Sequence, residues 1–357
     1  MTIWRGAVFV AVCLSFWITC VRVARAQTHV ETHIVSDSEL VRVPVIVFDD
    51  KGAVATNLKK TDFRLFEDGV EQPIRSLDRE RVPVSFVIVA DLSSSMTGKI
   101  PFVQDAALSL IDNPPQKTRA RDEYSILGVG KRSRLLVPFT SDQADLEKRL
   151  PLLLTDTGES TALFDGMWLG VSTADSDSMN EHRAMIVITD GGDNHSRYNL
   201  RETKKLLEES DVPVFAVVAG PLFEFPHFFS LPQSKPDGFP NPHGTNRGAP
   251  NLNSGTSDQI GPAERRGPHN MKVLAEASGG GVFTARREED LPRIVQTIGL
   301  ALRYRYILTY TPLHDHAQGV AGSSTLHKIF LELEPKDKFA KYSAPYYKRT
   351  YRSPVNP

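Results

Sequence analysis

The chain has 357 residues, enough for about two domains at roughly 150 residues each. Its 40% apolar and 24% charged content is that of a globular protein, and a formal net charge of −1 leaves no basic footprint for nucleic acid. The 2 cysteines, Cys13 and Cys20, both fall in the first 26 residues, which excludes a disulfide framework or thiol chemistry in everything that follows.

Residues 1–26 read as a secretory signal peptide. Arg5 supplies the positive start, Ala7 to Cys20 is almost wholly apolar, and Ala24-Arg25-Ala26 offers a small-x-small cleavage site before Gln27. The apolar run is shorter than the ~20 residues of a membrane span, so an uncleaved anchor ranks second. Lipidation of Cys20 ranks third, because Trp17-Ile18-Thr19 lacks the small residue expected before a lipidated cysteine. Cleavage takes away Arg5, Arg22 and Arg25 and no acid, leaving 39 basic against 43 acidic residues and a net charge of −4. The expected destination is export, to periplasm, cell surface or medium, with membrane contact only through the signal segment if it is kept.

Residues 38–80 read as β. Leu40 to Phe48 is rich in β-branched residues, Asp49-Asp50-Lys51-Gly52 is a turn, Asp62 to Phe66 alternates, and Glu67-Asp68-Gly69 turns again towards a strand near Gln72 to Leu77. So few short strands need a partner sheet. From Val82 to Arg303 strands and helices alternate. Apolar runs at 83–90, 124–129, 135–139, 183–189, 212–219 and 282–283 are separated by helical stretches near 100–111, 144–153, 162–174, 200–210, 273–277 and 291–302. The spacing predicts a doubly wound, mostly parallel sheet with helices on both faces. Tyr304 to Tyr310, His327 to Leu333 and Tyr342 to Tyr351 are again β, and pairing them with residues 38–80 completes both sets. The expected organisation is a signal at 1–26, a β segment at 27–81, an α/β domain at 82–303 inserted in a small β domain, and the second half of that β domain at 304–357.

Between Gly220 and Pro268 the alternation stops in favour of Pro, Gly, Asn and Ser, over a length far beyond the usual ~4–6-residue connection. Its start, Leu222 to Phe229, carries four phenylalanines. It reads as a surface insertion whose aromatics pack on the body, or else as a recognition loop or lid beside the site.

Asp91, Ser93 and Ser95 sit at alternate positions just past the buried run 84–90, where open α/β sheets place their ligands. A carboxylate and two hydroxyls are hard donors, suited to Mg²⁺, Mn²⁺ or Ca²⁺ and not to zinc. Asp190, in Thr189-Asp190-Gly191, ends another buried run, and Thr161 opens a helix after Gly158-Glu159-Ser160. Taken singly, Asp190 fits a turn and Ser160 or Thr161 a helix cap.

Together, Asp91-Leu92-Ser93-Ser94-Ser95, Thr161 within Ser160-Thr161-Ala162-Leu163, and Thr189-Asp190-Gly191 resemble the metal-ion-dependent adhesion site of von Willebrand factor type A (VWA) domains. Asp62-Phe63, Glu67-Asp68-Gly69 and Tyr306 to Pro312 are similar to flanks of a VWA-related family found largely in Acidobacteria. The resemblance spans most of residues 40–350, without the 220–268 insertion. It implies a Rossmann-like fold and a non-enzymatic binding module with Asp91, Ser93, Ser95, Thr161 and Asp190 as metal ligands. The hydroxyls would bind directly and the carboxylates directly or through water. It implies Mg²⁺ first, with Mn²⁺ or Ca²⁺ as alternatives, and a protein partner that offers an Asp or Glu carboxylate to an open coordination position.

Other classes fit less well. Ser93 stands where a phosphoryl-transfer aspartate enzyme wants its second acid, and neither a G-x-S-x-G elbow, a phosphate loop at Gly130-Lys131-Arg132-Ser133, nor an H-E-x-x-H pair is present. His314-x-His316 could take a transition metal but reads as a solvated loop, and His195 beside Asp193 reads as rim rather than base. The alternatives carried forward are a cell-envelope scaffold without metal-dependent binding and, after it, a metal-dependent hydrolase.

Overall fold

A computed structural model describes residues 40–79, 81–111, 121–154, 160–219, 262–313 and 325–353. Residues 1–26, residues 220–261 of the expected insertion, Glu159 and the pair His314 and His316 lie outside them. Strands β1 (Val41–Val45), β2 (Phe63–Glu67), β3 (Val70–Gln72) and β4 (Ile74–Arg79) come first. Strand β5 (Val84–Asp91) opens the α/β run, followed by α1 (Ile100–Ser109), β6 (Glu123–Val129), β7 (Ser133–Thr140), α2 (Gln143–Arg149) and α3 (Leu163–Asp177). Then come β8 (His182–Thr189), α4 (Leu200–Glu209), β9 (Val214–Ala219), α5 (Pro262–Ser278), β10 (Gly281–Ala285) and α6 (Leu291–Arg303). Strands β11 (Tyr306–Tyr310), β12 (Leu326–Leu333) and β13 (Thr350–Arg352) close the chain. Among the described residues no helix is long and apolar enough to cross a membrane.

The central sheet has the order β10-β9-β8-β5-β6-β7, parallel throughout except for β7, which returns antiparallel to β6. Both faces are covered, so its strands are continuous apolar runs rather than alternating ones. Phe86, Ile88 and Ala90 of β5 pack with α1, α2 and α6 on one face. Val87 and Val89 pack with α3, α4 and α5 on the other. The fold is therefore α/β with a mostly parallel central sheet, as the periodicity predicts. Helix α3 lies very close to this sheet: a Cβ on Gly166 would stand 2.4 Å from a Val129 methyl, and one on Gly170 2.6 Å from the Met185 methyl.

The flanking segments build two antiparallel sheets, β1-β11-β4 and β13-β12-β2-β3, over a shared core that includes Val43, Val45, Leu65, Leu308, Tyr310 and Leu331. Strand β11 sits between β1 and β4, so residues from both ends of the chain alternate across one sheet. Two segments differ from expectation. The insertion expected over 220–268 gives way to α5 already at Pro262, with Pro268 inside the helix. Tyr342 to Tyr351 is not a single strand: Tyr342 and Tyr346 make isolated bridges to Asp49 and Ile46, and only Thr350–Arg352 is a strand. Pro345 cannot donate to a ladder. Tyr346 instead turns into the central core against Phe48, Phe215 and Phe283.

The edge of the central sheet where its parallel strands begin is held by a buried ion pair. Arg303, at the end of α6, places Nε 2.6 Å from an Asp122 carboxylate oxygen, with both side chains 2% exposed. The same guanidinium donates to the Leu110 carbonyl and to Tyr124 Oη, and lies over the Phe86 ring. Asp122 also accepts the Val84 N–H at 2.9 Å and a second arginine, Arg81, at 3.2 Å. Beside the pair, Val82 N–H donates to the Arg303 carbonyl at 3.0 Å. Removing one member leaves the other buried and uncompensated. Arg303→Ala is therefore expected to lower unfolding stability by about 3–5 kcal/mol in a urea melt, far more than an exposed arginine would.

Candidate metal centre

Strands β5 and β8 are neighbours in parallel register, Ala90 opposite Ile188, so their C-terminal residues emerge side by side. Asp91 is wholly buried at that edge. One carboxylate oxygen accepts the Ser93 N–H at 2.9 Å and the other accepts the Thr189 hydroxyl at 2.6 Å. Ser93 Oγ lies 3.1 Å from Ser95 Oγ. Asp190 follows Thr189 directly and is half-buried, while Ser95 is exposed. The turn beyond it needs glycine: Gly191 has φ 104°, and a Cβ there would press on Gly267 and Pro268 of α5 at 3.1–3.2 Å.

Thr161 joins through its backbone. Its N–H donates to the Asn194 side-chain oxygen at 2.9 Å, and its carbonyl accepts the Asn194 and His195 N–H groups, both at 3.0 Å. Asp193 accepts the first free N–H groups of α3, Leu163 at 2.7 Å and Phe164 at 3.2 Å, together with the Ser196 hydroxyl. Asp165, in the first turn of α3, accepts the Arg197 and Tyr198 N–H groups. The loop after Asp190 and the start of α3 are thus stapled to each other. Sequence reasoning missed Asp193 and Asn194 as organisers; their only signal was position, three and four residues past Asp190. It placed His195 on the rim, and His195 is exposed there. A cavity of about 570 Å³ opens beside this staple, lined by Lys131, Arg132, Ser133, Asp165, Leu169, His195 and Arg197. Ser133 Oγ donates to the Ala162 carbonyl at 3.0 Å, so the cavity wall touches the residue next to Thr161.

Asp91, Ser93 and Ser95 are linked by direct hydrogen bonds. Asp190 enters through Thr189, and Thr161 through Asn194 and His195. The donor set is all oxygen and fits a hard divalent cation. The Ser93–Ser95 separation matches the ~3 Å edge expected between adjacent oxygens around Mg²⁺ at about 2.1 Å. The Asp91 carboxyl is pushed up to about 6 by burial, with the Asp190 charge adding to the rise and the Thr189 and Ser93 hydrogen bonds opposing it. A buried acid without counter-charge is what a bound cation would relieve. One neighbour was not expected. Lys99, largely buried, puts its ammonium 3.5 Å from the Asp190 carboxylate and donates to the Ser95 carbonyl at 3.1 Å.

Residues 86–192 match the family model of the von Willebrand factor type A domain. Domains of this type are commonly protein-interaction modules with a metal-ion-dependent adhesion site. Among solved structures, the chain is similar to a von Willebrand factor type A protein from Catenulispora acidiphila, at 11% identity, covering 89% of this chain and 74% of that one, TM-score 0.46. It is similar to proximal thread matrix protein 1 from the mussel byssus with a zinc-occupied MIDAS motif, at 14% identity over 66% of this chain, TM-score 0.43; the chain spans 49% of the length of that protein. An aerotolerance-related membrane protein from Bacteroides fragilis matches at 16% identity over 61% of this chain and 98% of its own, TM-score 0.39. No curated protein matches the chain.

Two outcomes are expected in thermal melts of the protein lacking residues 1–26. EDTA should lower Tm and Mg²⁺ restore it, because a ligand of the native state stabilises by mass action, and Asp91→Ala should abolish the difference. Lys99→Met should tighten divalent-ion affinity by about tenfold, ~1.4 kcal/mol, because the ammonium repels an incoming cation and holds Asp190.

Proposed function

We propose that the chain is an exported, non-enzymatic binding protein that uses its strand-end oxygens as a metal-ion-dependent adhesion site. The observation that carries this is the convergence of Asp91, Ser93, Ser95 and Asp190 at the ends of adjoining parallel strands, with Thr161 stapled to the loop after Asp190. Asp91, Ser93, Ser95, Thr161 and Asp190 would hold one divalent cation, Mg²⁺ first and Mn²⁺ or Ca²⁺ next. With three of the five donors neutral, the ion keeps enough charge to attract a carboxylate from a partner protein. Lys131, Arg132 and Arg197 around the neighbouring cavity favour an acidic segment about that carboxylate.

The α/β domain would span residues 82–303 and be carried by a β domain made from 27–81 and 304–357. The hydrogen bond from Val82 to Arg303 and the pairing of β11 with both β1 and β4 support these boundaries. Removal of 1–26 on export would free the mature chain to periplasm, surface or medium. A second reading, an envelope scaffold whose site needs no metal, is favoured by one contact, the Lys99–Asp190 pair, which supplies a cation from within the chain.

Selection from a displayed random-peptide library in Mg²⁺ separates the two. Binding through the ion should yield Asp- or Glu-containing peptides that EDTA elutes and that Asp190→Ala fails to capture. Peptides retained equally in EDTA and by the variant would overturn the adhesion-site reading in favour of the scaffold.

A further inference from the structure

The second sheet system carries a polar cluster that plays no part in the centre above. Strand β2 ends at Glu67, and the chain turns through Asp68 and Gly69, both with positive φ (48° and 88°), into β3. Strand β12 runs beside β2 with Ile329 opposite Glu67, and on its other side pairs His327 with Tyr351 of β13. This register brings Glu67, Asp68 and His327 to one end of the sheet. His327 Nδ1 stands 2.8 Å from an Asp68 carboxylate oxygen and 3.6 Å from a Glu67 oxygen. One ligand atom from each of the three lies within 4.8 Å of the others.

We propose that Glu67, Asp68 and His327 form a second cation site, for a borderline transition ion such as Zn²⁺ or Co²⁺. Three features carry this. Two of the three groups, Glu67 and His327, are buried, at 4% and 7% exposure, whereas Asp68 has a side chain 49% exposed, so an ion held by all three would face solvent on one side only. The carboxylates are oriented from outside the set: the Tyr351 hydroxyl donates to Glu67, and the Lys328 N–H donates to the second Asp68 oxygen at 2.9 Å. Such outer hydrogen bonds are what fix metal-binding carboxylates in place. The chemistry is also distinct from that of the strand-end centre. An imidazole nitrogen with two carboxylates selects zinc-like ions, while an all-oxygen set selects Mg²⁺ or Ca²⁺. The ion would replace the Asp68–His327 hydrogen bond, binding the Nδ1 lone pair of the tautomer protonated on Nε2.

The test uses the full mature chain with His314 and His316 changed to Gln, since that pair could itself take a transition ion. Equilibrium dialysis against Co²⁺ and Zn²⁺, and the electron paramagnetic resonance of bound Cu²⁺, are measured for this protein and for Asp91→Ala, His327→Gln, Asp68→Asn and Tyr351→Phe made in it. Asp91→Ala should keep one tightly bound Co²⁺ or Zn²⁺ that Mg²⁺ does not displace, with nitrogen hyperfine structure on Cu²⁺. His327→Gln should lose that structure and at least about 100-fold in affinity, and Tyr351→Phe about 10-fold, as loss of an outer partner does. If His327→Gln fails to fold, Asp68→Asn, altered at an exposed side chain, should still show at least a tenfold loss. Affinity unchanged in Asp68→Asn and His327→Gln, or no nitrogen signal in Asp91→Ala, would overturn the proposal without touching the strand-end centre.

Discussion

The buried pair of Arg303 and Asp122 is the constraint on which the α/β body depends. It ties four elements at one point: the start of β5 through Val84, the end of α1 through Leu110, the start of β6 through Asp122 and Tyr124, and the end of α6 through Arg303 itself. Beyond the ion pair, one terminal nitrogen of the guanidinium donates to the Leu110 carbonyl and to Tyr124 Oη, and the Phe86 ring takes its flat face. Desolvating two charges is costly, and the added hydrogen bonds help to offset it. The result is one end of the sheet fixed by electrostatics, so that register set there is carried along rigid parallel strands to the opposite edge. Asp91 and Thr189 can therefore lie within 2.6 Å although 98 residues separate them.

At that opposite edge the order comes from hydrogen bonds between loops. Asn194 and Asp193 hold the start of α3, Gly191 lets α5 close over the turn, and Lys99 reaches across to Asp190. The edge thus combines a floor made by strands with loops held to one another by side-chain and backbone hydrogen bonds between residues about 30 apart in sequence.

Much of this was legible in the chain, for identifiable reasons. Runs such as Val84 to Ala90 and Ala184 to Thr189 are apolar on both faces because helices cover both, and their ends announced Asp91 and Asp190. Even the β7 edge strand was visible, and Pro138 is tolerated there because an edge strand has an unpaired side. The pairing of the chain ends followed from each set being too small alone. What could not be read depends on distance in sequence. Arg303 and Asp122 are 181 residues apart and carry no periodic signature. Lys99 looks like any surface lysine until the turn just before α1 sets its ammonium beside Asp190. Tyr342 to Tyr351 has strand-like composition, yet Tyr346 gains more by joining Phe48, Phe215 and Phe283 than by extending a ladder. The Glu67-Asp68-Gly69 turn was seen, but nothing local tied it to His327, 259 residues from Asp68.

The pairing of β4 with β11 has a mechanical meaning. These strands lead into and out of residues 82–303, and they are bonded side by side, Arg79 to Tyr306 through Ile74 to Tyr310, with Val82 joined to Arg303 just beyond. Tension applied between residues 40 and 353 would be borne by the antiparallel sheets and by the packing of Phe48 and Tyr346 on the central core. Under pull from the chain ends, the loops at Asp91, Thr161 and Asp190 lie at the opposite edge of the central sheet from the root where β4 and β11 are bonded. Force transmitted through a bound partner, by contrast, would enter at those loops and reach that same two-stranded root from the other side.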